Sequence, residues 1–417
     1  MRVAYLDGLR GVASLQVLAL HFLTAFLPAL GQSRPELARH AWEGWFIHSP
    51  LFYFADGYAA VYLFFLISGA ALTYAFSRHP FALPSGVGRR IVRLGVPMAA
   101  SMLLAFALFA LMPNARITAG HLVGDGAWLH LSGPPSLAIR PLLWEVLEGL
   151  FFGHLDLPGT LLPHAVAVSF DLTPVAYSFN GPIWTLHIEF AGSILIMLLV
   201  ALRAGAPRAV YRAIATILVV LLIAHPLGLF VIGHVVAPIM ARPTVRRTAP
   251  IGIVLFLCGM ACASYAAPNW VLALPLQWAA MMNLPADFDA LHLQSAAEAM
   301  FVFAAVAIGQ PLRTLLTTEP VQTAGRLSFS LYLVHFPILL TVACVVFTWT
   351  YGAPAASAIA IAAGLAATVG LAYGFERWVD RPSIGLSHRI GCRLVPRAPD
   401  AVDGLTSMGS LSSAGPE

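Results

Sequence analysis

Arg10 and His21 stand eleven residues apart in an otherwise apolar stretch of the chain. At about 100° of turn and about 1.5 Å of rise per helical residue, the two side chains fall within about 20° of one face, with His21 about 16 Å further along the axis. Histidine abstracts protons near neutral pH, and the planar fork of arginine suits phosphate. An arginine at the mouth of a helix and a histidine within it would therefore line one wall of a reaction site. The plainer alternative is that His21 donates one interhelical hydrogen bond and Arg10 anchors the chain at a membrane surface. Spacing alone leaves both open.

Other ionisable side chains lie in apolar surroundings: His187, Glu189, His225, His234, Glu298, His335 and Glu376. Such groups are costly in a bilayer and mark either a functional path or a paired structural site. His335 precedes Pro337, which should break the helical ladder and free backbone carbonyls nearby. Proton relay or acceptor binding on one side, and a kink-stabilising bond on the other, are both open for His335. His187 is two residues from Glu189 and points about 200° away from it on a helix. His225 and His234, nine residues apart, point about 180° away from each other. With no HExxH or CxxC spacing, no metal is expected. Cys258 and Cys262 read as small packing residues in an apolar run rather than a metal pair, and Cys344 and Cys392 carry no redox role.

These residues need elements to hold them, and the composition says where those elements sit. Of 417 residues, 59% are hydrophobic and 10% charged, with a mean hydropathy of +0.81. Soluble domains average about 25% charged residues, so this chain has too few ionic groups to cover a folded surface in water. A spanning helix needs about 20 mainly apolar residues. Ten candidates follow, near 9–29, 58–77, 94–112, 183–202, 213–225, 227–241, 250–267, 296–312, 327–349 and 355–376. The fifth and sixth are short and meet at His225 and Pro226, as a tight hairpin or one broken helix.

All 23 basic residues are arginine. With both termini in the cytoplasm, 19 of them lie in cytoplasmic segments, and only Arg34, Arg39, Arg116 and Arg140 lie outside. That asymmetry is what the positive-inside rule demands, and merging the fifth and sixth spans would spoil it. The formal charge of +4 and pI near 9.0 are compatible with a nucleic-acid partner. The arginines, however, fall in short groups between apolar runs, without the interleaved aromatics of a nucleic-acid groove.

The expected fold class is therefore all-α: a polytopic membrane helix bundle of about ten transmembrane helices. Residues 1–382 form the membrane domain, including a long extracytoplasmic segment over 113–182 that is amphipathic near Trp144 to Phe152. Residues 383–417 form a cytoplasmic tail, disordered from about 396. A cleaved signal peptide over residues 1–31 is disfavoured, because its apolar core is too long and is interrupted by Gln16 and His21. No internal repeat is visible.

Residues Asp7 to Ala13, followed by His21 and Phe22, resemble the opening signature of the acyltransferase type 3 family of integral-membrane O-acyltransferases. The resemblance continues in order. Gly57 to Gly69, with Val61, Phe64, Phe65, Ile67 and Ser68, looks like the family's second-helix motif. Arg89, Arg90, Arg93, Leu94 and Pro97 are similar to its RRxxRLxxP motif, and Trp184, Thr185, Leu186 and Glu189 to its WSLxxE pattern, with Thr for Ser. Ser328 to Ile338 resembles its YLxHxP motif, and Glu376 to Pro382 its closing segment.

The resemblance implies transfer of an acyl group, above all acetyl, from cytoplasmic acyl-coenzyme A to a hydroxyl of an envelope glycan, lipid-linked sugar or glycoside, in a bacterial inner membrane. It implies His21 as general base, or as the carrier of a transient acyl-histidine. Arg10 would bind donor phosphate or developing charge, and Glu189 would orient a histidine, accept a proton or pair with an arginine. Arg89, Arg90 and Arg93, of which two or more can share a helix face, would hold the phosphates of coenzyme A. Trp184 and His335 would contact the acceptor; for Trp184 an aromatic-belt position is the alternative. Acyl-coenzyme A is a co-substrate, and no tightly bound cofactor is expected. The partners expected are membrane lipid, the acyl donor and a carbohydrate or lipid-linked acceptor, with room for a separate extracytoplasmic protein that completes the transfer. The competing function class is a secondary transporter or flippase, which would favour inverted repeats and paired broken helices. None is evident here.

Overall fold

The computed structural model describes residues 3–31, 35–124, 128–155, 164–223, 225–242, 248–263 and 290–394. The expected disordered tail from about 396, Arg2, Arg34, Arg246, Arg247 and Arg397 lie outside the described residues. Among the described residues there is no β-strand, only an isolated bridge between Leu155 and Pro174. The principal helices are α1 (Ala4–Phe26), α2 (Gly57–Phe76), α3 (Leu83–Leu111), α4 (Ile139–Phe151), α5 (Thr185–Gly205) and α6 (Arg208–Leu221). They continue with α7 (Pro226–Met240), α8 (Ala249–Ala261), α9 (Ala290–Ile308), α10 (Glu319–Ile338), α11 (Ala356–Phe375) and α12 (Arg381–Arg393).

Among the described residues, six helical stretches are long and apolar enough to cross a membrane: Ala4–Phe26, Gly57–Phe76, Leu83–Leu111, Gly181–Gly205, Glu319–Thr350 and Ala356–Arg393. A seventh is added if Leu293–Ile308 and Gln310–Leu316, bent by 96° at Gly309, count as one crossing. Of the ten expected crossings, α7 and α8 are apolar but short, and α6 has 14 residues. The fifth and sixth stretches are separate helices, and His225 caps the second by accepting the Leu227 N–H at 3.1 Å. Several helices start or end well beyond the apolar runs. Helix α3 begins at Leu83 rather than near 94, because its first turns carry Arg89, Arg90 and Arg93 and are amphipathic instead of uniformly apolar. The chain beyond residue 382 is not all tail: α12 runs across that boundary and packs on α3, with Ser85 Oγ donating to Gly391 O at 2.8 Å.

The core of the bundle is the pair α1 and α10. Gly11 and Gly325 bring the two backbones into contact: a Cβ on Gly11 would lie 2.4 Å from Gly325 N, and one on Gly325 would lie 2.2 Å from Asp7 O. A side chain at these glycines would push the helices apart, which is why small residues recur where membrane helices meet closely. Moving up both helices by ten residues leads from Gly11 and Gly325 to His21 and His335, which touch. The two helices therefore run parallel and in register.

Helix α4, in the segment joining α3 to α5, has its amphipathicity inverted. It buries Glu145 and Glu148 and exposes Ile139, Leu143 and Leu147. Exposed Ile217, Val220 and Leu221 on α6 and Ile251, Val254 and Leu257 on α8 add to an apolar exterior. Exposed apolar surface on this scale suits a lipid-facing bundle.

Candidate active site

Five helices converge on a cavity of about 120 Å³. Helix α1 contributes Arg10, and α2 contributes Val61, Phe64, Phe65 and Ser68. Helix α3 adds Arg90, Arg93 and Leu94, α5 adds Thr185, Leu186 and Glu189, and α10 adds Ser328, Phe329 and Tyr332. Three guanidinium groups thus face one carboxylate, and the excess positive charge favours an anionic occupant.

The arginine cluster of α3 divides. Residues three apart share a helix face, so Arg90 and Arg93 both reach the cavity. Arg89 is turned toward α12, where its side chain lies over Gly391; a Cβ there would sit 2.0 Å from Arg89 Nε. Arg90 is paired with Glu189 at 2.6 Å, both side chains being about 15% exposed. Arg93 donates to the Asp380 carboxylate, with Asp380 Oδ2 and Ser383 Oγ each at 3.4 Å, and lies 4.9 Å over the Phe329 ring. These pairs fix the guanidinium planes without using every donor. The Nε atoms of Arg10 and Arg90 are buried with no hydrogen-bond partner among the described residues. Buried donors left open at a charged cavity are what an incoming phosphate would satisfy.

The histidine pair lies further along α1, beyond Tyr332. The Tyr332 ring lines the cavity and contacts the His335 ring, with centroids 6.0 Å apart. Its hydroxyl is bound to Thr185 Oγ1 at 2.7 Å and to Pro182 O. His335 is fully buried and His21 partly so. His335 Nδ1 is 2.7 Å from Tyr332 O and 3.2 Å from Leu331 O. A carbonyl only accepts, so Nδ1 carries the proton and the neutral ring presents Nε2 as an acceptor. That Nε2 faces His21 Nδ1 at 3.1 Å, and His21 Nδ1 is also 2.9 Å from Val17 O. The same reasoning puts a proton on His21 Nδ1, shared between two acceptors. It leaves a lone pair on His21 Nε2, the form a general base requires. The aromatic rings of Phe336 and Trp128 flank His21 at 5.4 and 6.4 Å.

The sequence-derived candidates are thus partly united. Arg10, Arg90, Arg93 and Glu189 share the cavity; Arg89 and Trp184 are not among its lining residues. Glu189 is paired with Arg90 rather than with a histidine. His21 and His335, treated separately in the sequence, form one pair. Asp380, Tyr332 and Asn180 were not singled out; Asp380 and Tyr332 stand inside the matched motifs, and Asn180 lies just before Gly181 and Pro182. His187 is buried against Gly153, whose φ of 86° and missing side chain make room for the ring. His234 bridges Thr73 Oγ1 at 2.7 Å and Tyr211 OH at 2.8 Å.

Outside the spans, Glu148 of α4 is buried and accepts the Thr173 backbone N–H at 3.1 Å. Burial pushes its carboxyl above the ordinary carboxylate value, and the Thr173 hydrogen bonds pull it partly back.

Comparison with known proteins gives two matches. The family model described as "Acyltransferase domain" matches residues 3–377. An O-acetyltransferase of Phomopsis amygdali, PaAT-1, is 26% identical over 395 residues, covering 81% of this chain and 72% of that protein. No solved structure matches.

Proposed function

The chain belongs to the acyltransferase type 3 family and is a membrane-bound O-acyltransferase, and from that premise we propose that it moves an acetyl group from acyl-coenzyme A to a hydroxyl of an envelope glycan, lipid-linked sugar or glycoside. One observation carries this reading. Motif residues scattered from Arg10 to Tyr332 close on a single cavity, and Asp380 of the last motif orients Arg93 there. The named O-acetyltransferase relative supports acetyl as the group moved.

The cavity is the phosphate end of the donor site. Arg10, Arg90 and Arg93 take the charges of coenzyme A, and the open Nε donors of Arg10 and Arg90 suit phosphate oxygens. Arg10 is about three helical turns from His21, which assigns it to phosphate rather than to the reacting carbonyl. The pantetheine arm extends past Tyr332 toward the histidine pair. There His21 Nε2 takes the proton of the acceptor hydroxyl as its oxygen attacks the thioester carbon. The C–O bond forms, the C–S bond breaks, and coenzyme A leaves as a thiolate. A positioned base contributes about 10² to 10⁴-fold to such a step. Glu189 holds Arg90 in place, Trp184 stays an interfacial residue beside the site, and the segment over 113–182 faces the acceptor.

The finer topology belongs to the same proposal: ten crossings, both termini in the cytoplasm of a bacterial inner membrane, and residues 1–382 as the catalytic unit. Two observations support it. The parallel α1 and α10 require an odd number of crossings between them, which seven satisfies. In the sequence, 19 of the 23 arginines fall in the segments that this topology puts in the cytoplasm. Membranes containing the protein, given acetyl-coenzyme A labelled in the acetyl group, should pass label to a hydroxyl-bearing acceptor. Label that stays on the donor with every glycan acceptor offered would defeat the proposal.

A further inference from the structure

Pro337 has no N–H, so the carbonyl of Leu333, four residues earlier, loses its helical donor. Inside an apolar bundle an unpaired carbonyl is costly. The missing donor comes from another element. Asn180 Nδ2 lies 2.8 Å from Leu333 O, and the same amide is 3.3 Å from Ser101 Oγ of α3. Because a carbonyl only accepts, the amide atom facing it must be the NH₂ group. Asn180 is fully buried, and so is His335.

Asn180 is itself firmly held. Its backbone N–H donates to Ser178 Oγ at 3.0 Å, and the Ser178 hydroxyl donates to Glu145 of α4. The Phe179 N–H donates to the same carboxylate, at 3.1 and 3.2 Å from its two oxygens. A buried chain of bonds thus runs from α4 through Asn180 to the proline-interrupted turn of α10. On that turn the neighbouring carbonyls of Leu331 and Tyr332 fix the proton on His335 Nδ1.

We infer that Asn180 is a positioning residue for catalysis: by supplying the donor that Pro337 removes, it holds the 331–335 turn in the shape that keeps His335 Nε2 facing His21 Nδ1. The inference rests on the His21 base proposed above. It also gives the segment over 113–182 a second role, shaping the base as well as meeting the acceptor.

The test is a cycle of Asn180→Ala, Pro337→Ala and the double variant, measured in membranes for kcat, KM for acetyl-coenzyme A, pH–rate profile and protein abundance. Asn180→Ala should lower kcat at least about tenfold, leave KM within about twofold, and move the acid limb of the profile. Pro337→Ala restores the backbone N–H to Leu333 O. In that background the Asn180→Ala loss should shrink to about threefold or less, an interaction that independent sites would not show. A wild-type kcat and profile in Asn180→Ala, or an equal loss in both backgrounds, would overturn the inference. If Asn180→Ala fails to accumulate, the double variant decides: abundant and active protein supports the inference, and loss of both refutes it. Full activity in His21→Ala would remove the premise and the inference together. An inactive His21→Ala beside a normal Asn180→Ala would remove the inference alone.

Discussion

The two polar clusters along α1 are built on opposite terms. At the arginine end, Arg90 and Arg93 are each fixed by one carboxylate, yet buried donors on Arg10 and Arg90 stay open. At the histidine end, His335 Nδ1 has two carbonyl partners, its Nε2 is bound to His21, and the carbonyl freed by Pro337 is taken by Asn180. Open donors at a charged cavity prepare it for a ligand that brings its own acceptors. Paired ring nitrogens and a filled carbonyl fix geometry, which is what proton transfer needs, although Asn180 Oδ1 is itself buried without a partner among the described residues. The first region should therefore govern donor binding, and the second the chemical step.

Variants at the arginine end can break this division. Arg90→Ala removes a cavity cation and strands Glu189 in a partly buried site. It should lower kcat/KM for acetyl-coenzyme A by about 100-fold, mainly through KM, as loss of a charge-assisted contact does. A loss confined to kcat would blur the contrast between the two ends.

A smaller effect is expected from Glu148, which lies beside the Glu145 network. Its carboxyl is raised by burial, so the folded state binds that proton more tightly than the unfolded state does. The associated stability is full below the ordinary carboxylate value and is lost as pH rises through the raised folded value. Protease resistance of the 139–182 segment should therefore increase as pH falls through the raised folded value toward the ordinary carboxylate value, and Glu148→Gln should flatten that trend. A wild-type segment that weakens as pH falls would reverse the sign.

The smallest effect belongs to Arg89. Turned toward Gly391 of α12 and absent from the cavity lining, it should tolerate Ala with KM for acetyl-coenzyme A changed by no more than about threefold, as expected of a residue that does not reach the donor. Equal defects in Arg89→Ala and Arg90→Ala would restore the three arginines to one shared grip.

The contrast also marks what the sequence could carry. Arg10 and His21 on one face, Arg90 and Arg93 three apart, and the carbonyl freed by Pro337 all follow from helix periodicity or from proline's missing donor. Those parts were legible. Helix α3 was shortened in the sequence reading because a hydropathy ruler stops where arginines begin. The His21–His335 pair was not legible, since it depends on the register of α1 against α10, set by glycines some 300 residues apart. Nor was the donor from Asn180 to Leu333, a contact between segments 153 positions apart. The amphipathic character near Trp144 to Phe152 was legible, but not which face of α4 is buried: it buries Glu145 and Glu148 and exposes Leu143 and Leu147.

The central claim is that His21 Nε2 acts as the base while the arginine cavity holds the donor. It is tested most directly by comparing wild type and His21→Ala in the same membranes for both acetyl-coenzyme A binding and transfer of labelled acetyl to an acceptor. The account predicts binding within about twofold of wild type and transfer reduced by about 10² to 10⁴-fold. Transfer at the wild-type rate in His21→Ala would contradict it.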